Sequence, residues 1–206
     1  MPIEKEFYAR DPATVARELL GMKIVRVIDG EMLVCRIVET EAYYGVEDPA
    51  SRARRGGDLR DALYNGIGIA IVYGMHRQWL FNVAAHPPGE GAVLIRACQP
   101  IKGIEKMIQL RRVRSVRELT NGPGKLCQAL AIDKRFHRKP IYVTDHGLWI
   151  EYGEPIPDHM VVQSFRIGVK QDLDKPLRFF IKNSPYVSKP RTKTYTTGSS
   201  YRPSAP

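Results

Sequence analysis

Between Met22 and Tyr43 two β-type runs, Met22 to Ile28 and Met32 to Tyr43, meet at Asp29-Gly30. That dipeptide supplies the two positive φ angles of a tight two-residue turn, so the runs predict an antiparallel hairpin. The second run is about twice the usual strand length and commits the chain to a sheet with partners to match. Further β-type runs cover Ile67 to Met75, Trp79 to Ala85, Ala92 to Ala97, Leu148 to Tyr152, Val161 to Val169 and Leu177 to Ile181. Helical signals are fewer. Asp11-Pro12 opens a short helix over Ala13 to Leu20 that Gly21 ends. Ile101 to Arg112 has apolar residues near helical spacing, and another helix starts after Thr120-Asn121 and runs to Leu130. Residues 49–66 are rich in Arg and Gly with little apolar content before Ala62 and predict an exposed basic loop, and Pro87-Pro88-Gly89 predicts a turn. The fold class is α+β: a single mixed domain over residues 1–188, built around a curved antiparallel β-sheet with flanking helices. Residues 189–206, with basic but no acidic side chains and almost no apolar anchor, read as a flexible basic tail.

A chain of 206 residues with 43% hydrophobic content can bury one sizeable core. No run reaches the roughly 18 apolar residues of a membrane span, and the acidic start lacks the apolar segment of a signal peptide, so a soluble intracellular protein without a membrane partner is expected. Cys35, Cys98 and Cys127 form no C-x-x-C pair and read as buried thiols. The five histidines lie in separate segments, so no metal site is expected. The motifs of serine hydrolases, dinucleotide-binding enzymes and kinases do not occur. With 32 Lys and Arg against 22 Asp and Glu, the net charge of +10 makes nucleic acid the leading partner class.

Strand alternation puts Leu33, Cys35 and Ile37 on one face with Glu39, Glu41 and Tyr43. A core-facing row then runs into two carboxylates and a ring, and a carboxylate among apolar neighbours makes a stronger proton acceptor. Glu41, next to the ring, is the better candidate for a general base. The competing reading has the strand emerge into solvent at Glu39, with both acids on the surface. Tyr73, ahead of Gly74, sits where a strand could end at a rim and enter a groove as a wedge; the alternative is an ordinary core tyrosine. Leu94 and Arg96 share a strand face as an apolar wall beside a cation that binds phosphate or pairs internally with a carboxylate. Gly122 and Lys125, at a Gly-Pro-Gly helix start, could receive a phosphate or a base edge.

Several ordered motifs converge on one family: Arg17 to Gly21, Ile37-Val38-Glu39-Thr40-Glu41-Ala42-Tyr43, Gly45 to Ser51, Tyr73-Gly74-Met75, Val93-Leu94-Ile95-Arg96-Ala97, Gly122 to Leu130 and Lys175 to Phe179. Taken together they resemble the mammalian-type alkyladenine (3-methyladenine) DNA glycosylases. The resemblance implies a cofactor-free monomer that flips a damaged or deaminated purine out of double-stranded DNA and hydrolyses its N-glycosidic bond. It implies Glu41 as the residue that activates water, Tyr43 as a platform that stacks on the base, and Tyr73 as the residue inserted into the gap, with Met75 beside it. Leu94 and Arg96 fall near the lesion pocket and DNA backbone, and Asn82 matches the asparagine that screens out guanine.

Three positions depart from the family pattern. Arg52 stands where the family has a histidine that contacts the flipped base, and Ala70 where it has a second stacking tyrosine. The loop between Gly57 and Tyr73 is shortened, while about two extra residues precede Asn82. Tyr64 or the guanidinium plane of Arg52 could supply the missing half of the aromatic sandwich. A cation at position 52 would also disfavour positively charged bases. Two rivals remain: a lesion-sensing DNA-binding protein of the same fold with weak or no catalysis, and an RNA-binding module.

Overall fold

The computed structural model describes residues 1–85 and 91–188. Two short helices, α1 (Lys5–Tyr8) and α2 (Pro12–Glu18), precede a hairpin of β1 (Lys23–Ile28) and β2 (Glu31–Tyr44). Next come α3 (Gly57–Asn65), β3 (Ala70–Met75), β4 (Gln78–Ala84) and β5 (Gly91–Lys102). They are followed by α4 (Ile104–Arg111), α5 (Pro123–Ala129), β6 (Leu148–Glu151), β7 (Val161–Ser164) and β8 (Arg178–Ile181). The strands form one eight-stranded antiparallel sheet in the order β3-β4-β5-β2-β1-β6, with β8 joined to β2 and β7 to β8. This is the α+β class that the sequence predicts.

Local chemistry explains the connections. The Asp29-Gly30 turn has positive φ at both residues (52° and 81°) and closes the pair Ile28–Glu31, as two-residue hairpins require. His76 and Arg77 turn the β3–β4 hairpin the same way, with φ of 50° and 62° and no glycine. Asp11 caps α2 by accepting from Ala13 and Thr14 N–H. Gly21 follows that helix with φ +88°, in a space so tight that a Cβ would lie 2.0 Å from the Glu154 carbonyl oxygen.

The main core lies between the sheet and helices α2, α4 and α5, and contains Leu19, Ile24, Ile37, Phe81, Ile95, Met107 and Leu126. Each such side chain, when fully buried, contributes about 1.5–3 kcal/mol. Cys35, Cys98 and Cys127 are buried free thiols there. A smaller apolar cluster of Ala53, Ala62, Leu63, Ile71, Ala84 and Ala92 sits under α3.

Several segments differ from expectation. Residues 49–66 are not a loop: Arg52–Arg55 form a 3₁₀ turn and Gly57–Asn65 a helix, because Leu59, Ala62 and Leu63 at helical spacing turn one face onto the small cluster. Ile101 and Lys102 continue β5, and helix α4 starts only after Gly103, whose φ of +72° breaks the strand. The run from Val161 is strand only to Ser164, since Arg166 leaves the ladder to bind Asp48 and Asp172. Helix α1 has no strong sequence signal. The turn at 87–89 and the tail at 189–206 lie outside the described residues.

Candidate active site

The position of the site follows from a pair of bulges. Along β2 and β5, Ile37 faces Cys98, Glu39 faces Ala97 and Thr40 faces Ile95, so an extra residue enters first on β2 and then on β5. Such insertions re-aim side chains. Before the bulge Leu33, Cys35 and Ile37 point into the main core; beyond it Ala42 does, and the Thr40 hydroxyl donates to the Ala16 carbonyl in α2 at 2.7 Å. The predicted single row from Leu33 to Tyr43 is therefore broken, and Glu39, Glu41 and Tyr43 turn to the opposite face. The solvent-exposed alternative fails as well: Glu39 and Glu41 are both 0% exposed. On β5, Val93 and Ile95 keep to the core, while Arg96 points to the carboxylates.

The two acids have different surroundings. Glu39 accepts four hydrogen bonds, from Arg96 Nε at 3.2 Å, Arg178 Nε at 2.7 Å, Ser188 N–H at 2.6 Å and the Ser188 hydroxyl at 2.8 Å. It is a fully satisfied buried anion. Glu41 accepts three, from Ile167 N–H at 2.7 Å, the Tyr43 hydroxyl at 2.7 Å and Arg96 Nη1 at 3.3 Å. A carboxylate offers about four lone-pair sites, so among the described residues Glu41 keeps room for one more donor. Arg96 bridges the two acids and is nearly buried. Burial pulls its pKa down, but the Glu41 and Glu39 charges outweigh that and the net shift is upward. Its guanidinium is committed internally, the ion-pair alternative that the sequence left open.

Tyr43 is held between chemistry and packing. Burial, and then the Glu41 charge, push its phenol well above the usual range, so it remains a donor to Glu41. The Arg166 guanidinium lies 4.4 Å from the ring centroid on one side. Arg166 is anchored by Asp48 at 2.6 Å, by Asp172 and by the Ala42 carbonyl at 3.0 Å. Tyr43 also lines a small cavity of about 30 Å³ together with Arg52, Leu59, Leu63, Tyr73 and Asn82. Roughly the volume of one water molecule, it is far too small for a purine.

Arg52 is 5.4 Å from the Tyr73 ring centroid. Burial raises the Tyr73 pKa, opposed by the charge and hydrogen bond of Arg52 and by a hydrogen bond with Asn82. The Asn82 amide donates to the Ile71 carbonyl at 3.1 Å. Leu94 is paired with both Glu41 and Asn82 across the sheet. Ala70 belongs to the main core, so an aromatic side chain there would point away from the cavity in this register.

Glu41, Tyr43 and Arg96 thus share one network, and Tyr43, Arg52, Tyr73 and Asn82 surround one cavity, with Leu94 between the two. Tyr64 is apart: its ring packs against the Arg60 guanidinium at 5.3 Å and is not part of the cavity lining. Met75 is half-buried beside the hairpin turn. Gly122 opens α5, and Lys125 donates to Asn121 Oδ1 at 2.8 Å. The start of α5 touches the hairpin, since a Cβ at Gly124 would lie 1.8 Å from Gln78 Oε1. Sequence reasoning missed Arg166, Ser188 and the Ile167 N–H, which carry no motif, gave no role to Arg178 although it lies in the Lys175 to Phe179 motif, and treated Glu39 only as the weaker of two acids. Among the described residues no cluster of His, Cys, Asp or Glu could hold a metal ion, and no helix is long and apolar enough to cross a membrane.

Comparison with known proteins gives a consistent picture. The sequence profile of the methylpurine-DNA glycosylase family matches residues 6–185. A protein of Aeropyrum pernix, provisionally named a 3-methyladenine DNA glycosylase, is 45% identical over 92% of this chain and 94% of its own. A provisionally named 3-methyladenine DNA glycosylase of Carboxydothermus hydrogenoformans is 43% identical over 92% of this chain and 100% of its own. The DNA-3-methyladenine glycosylase of Mus musculus is 39% identical over 90% of this chain and 60% of its own.

Proposed function

The chain belongs to the methylpurine-DNA glycosylase family, and from that membership we propose that it is a monomeric, cofactor-free intracellular DNA N-glycosylase. It releases damaged or deaminated purines from double-stranded DNA. The substrates are alkylated adenine, hypoxanthine and ethenoadenine. The observation that carries this reading is Glu41, a buried carboxylate held by three donors with one acceptor site open, beside a cavity walled by Tyr43.

The reaction needs three things. A base stacked in a duplex is unreachable, so it must be turned out. The cavity is too small to receive it while the Tyr73 ring occupies one side. Exchange of the two rings meets both demands: the base enters against Tyr43, and Tyr73 moves into the gap in the duplex as a wedge. Water then binds at the open site of Glu41 and attacks C1′ of the sugar, giving one proton to Glu41 while the electron pair of the glycosidic bond leaves with the base. Arg96 and Tyr43 fix the carboxylate, and burial keeps other water away from it. Leu94 closes the apolar wall, and Asn82 reads the base edge. Around the site, Met75 on the hairpin and Gly122 and Lys125 at the adjoining start of α5 approach the DNA backbone. The basic residues in 189–206 add sequence-independent attraction.

The test is base release from duplex oligonucleotides by the wild-type protein and by Glu41→Gln. The substitution keeps the shape and removes the proton acceptor, so release should fall at least about a hundredfold while DNA affinity persists. A wild-type protein that binds lesion duplexes tightly and releases nothing would instead be a lesion sensor.

A further inference from the structure

Among the described residues Arg52 is the one cationic side chain lining the cavity. Its position is built. Ser51 caps the 3₁₀ turn by accepting from Ala53 N–H at 3.1 Å, and Ser51 and Ala53 are both buried, which turns residue 52 inward while Arg54 and Arg55 are exposed. The other guanidinium that lies on a cavity tyrosine, Arg166, is matched by two carboxylates, Asp48 and Asp172. Among the described residues Arg52 forms no ion pair; its guanidinium lies over the Tyr73 ring. When Tyr73 moves out and a base takes its place, an uncompensated guanidinium faces that base.

We propose that Arg52 sets the substrate class of the cavity, favouring neutral deaminated purines and disfavouring purines that carry a positive charge. The inference rests on the glycosylase reading. Two physical arguments support it. The first is charge. As the glycosidic bond breaks, its electron pair passes to N9 of the base. A neutral purine therefore carries partial negative charge in the transition state, which Arg52 attracts, and leaves as an anion that takes a proton from solvent after release. A cationic purine still carries partial positive charge at that point and leaves neutral, so Arg52 repels it both on entry and in the transition state. The second is the pattern of donors and acceptors. Deamination of adenine replaces the N6 amino donor with an O6 acceptor beside the N7 acceptor, and an arginine fork fits an O6/N7 edge. An alkylated adenine keeps the amino group, which presents a donor to a residue with donors only.

The test compares kcat/KM for hypoxanthine in a duplex and for 3-methyladenine in DNA treated with a methylating agent, for the wild type, Arg52→Gln and Arg52→Lys. Arg52→Gln should lower the hypoxanthine/3-methyladenine ratio by about tenfold or more. The loss for hypoxanthine should fall mainly on kcat, and the gain for 3-methyladenine on KM. Arg52→Lys keeps the charge and should preserve most of the wild-type ratio. A general loss of structure would lower both activities together and leave the ratio unchanged. Release of both bases at a ratio that Arg52→Gln does not move overturns this inference alone. Release of neither base by the wild type overturns the enzymatic reading, and this inference with it.

Discussion

Removing the Glu39 side chain should destabilise the fold more than any other single truncation at the site. The carboxylate is 0% exposed and lies against Arg96 and Arg178, which are 8% and 3% exposed. Glu39→Ala leaves Arg178 in the interior without a carboxylate and Arg96 with Glu41 alone at 3.3 Å. Among the described residues Arg178 keeps the Ser164 hydroxyl at 3.2 Å, the Ser188 carbonyl at 3.4 Å and the face of the Phe180 ring. Breaking a buried ion pair from one side costs about 3–5 kcal/mol. The Ser188 N–H and hydroxyl also lose their acceptor, at about 1 kcal/mol or more, so a total near 5 kcal/mol is expected. For a domain of this size that lowers Tm by about 10–20 °C. Glu39→Gln retains an acceptor oxygen and should cost roughly half as much. Urea unfolding of wild type, Glu39→Ala and Glu39→Gln at neutral pH measures these differences directly. A loss below about 1 kcal/mol for Glu39→Ala would refute the reasoning, because it would mean that water reaches the arginines and the acid merely accompanies them.

Two further outcomes follow from the packing. Gly21→Ala combines a positive φ of +88° with a Cβ 2.0 Å from the Glu154 carbonyl oxygen; backbone must move on both sides, and a loss of at least about 2 kcal/mol in urea unfolding is expected. The Tyr8 hydroxyl is buried without a hydrogen-bond partner among the described residues, so Tyr8→Phe should be neutral or stabilising near pH 8. Burial holds the Tyr8 and Tyr43 phenols above their ordinary value of 10.0, and burial with the Asp11 contact holds Tyr44 at about 12. Folded-state values that are raised mean stability that is complete below pH 10 and lost above it, as the unfolded chain ionises first. The urea midpoint should therefore drop between about pH 9.5 and 11.5, and less steeply in Tyr8→Phe. A midpoint unchanged over that window would contradict the burial of these phenols.

The parts of the fold that were legible in the sequence are those fixed by neighbours along the chain. Asp29-Gly30 dictates its turn, and Asp11-Pro12 its helix start, because the atoms that decide the matter lie within a few residues. Glu41 and Tyr43 were legible as a pair, since alternation keeps them on one face wherever the strand lies. Which face was not. The bulges on β2 and β5 arise from pairing between two distant segments, and a periodicity read on one strand alone carries no trace of them. The helix Gly57–Asn65 was hidden by a run of arginines that masked a modest apolar stripe. Arg166 was invisible because its partner Asp48 is 118 residues away in sequence. A lone arginine in a β-type run has no local signature, and only the closed sheet shows that its charge lies beneath the Tyr43 ring.

The paired bulges also bear on how such a site could be moved or altered. Thr40 and Ala42 hold the core side and Glu39 and Glu41 the other only because an extra residue on one strand is answered by an extra residue on its neighbour. Were the β2 bulge at Val38 flattened with the sequence kept, plain alternation from Ile37 would carry the acids into the apolar interior, with every side chain chemically unchanged. Transplanting the Glu-Thr-Glu-Ala-Tyr segment to another sheet would fail for the same reason unless the partner strand came with it. What places the acids in this architecture is therefore an offset shared by two strands, not the run of side chains alone.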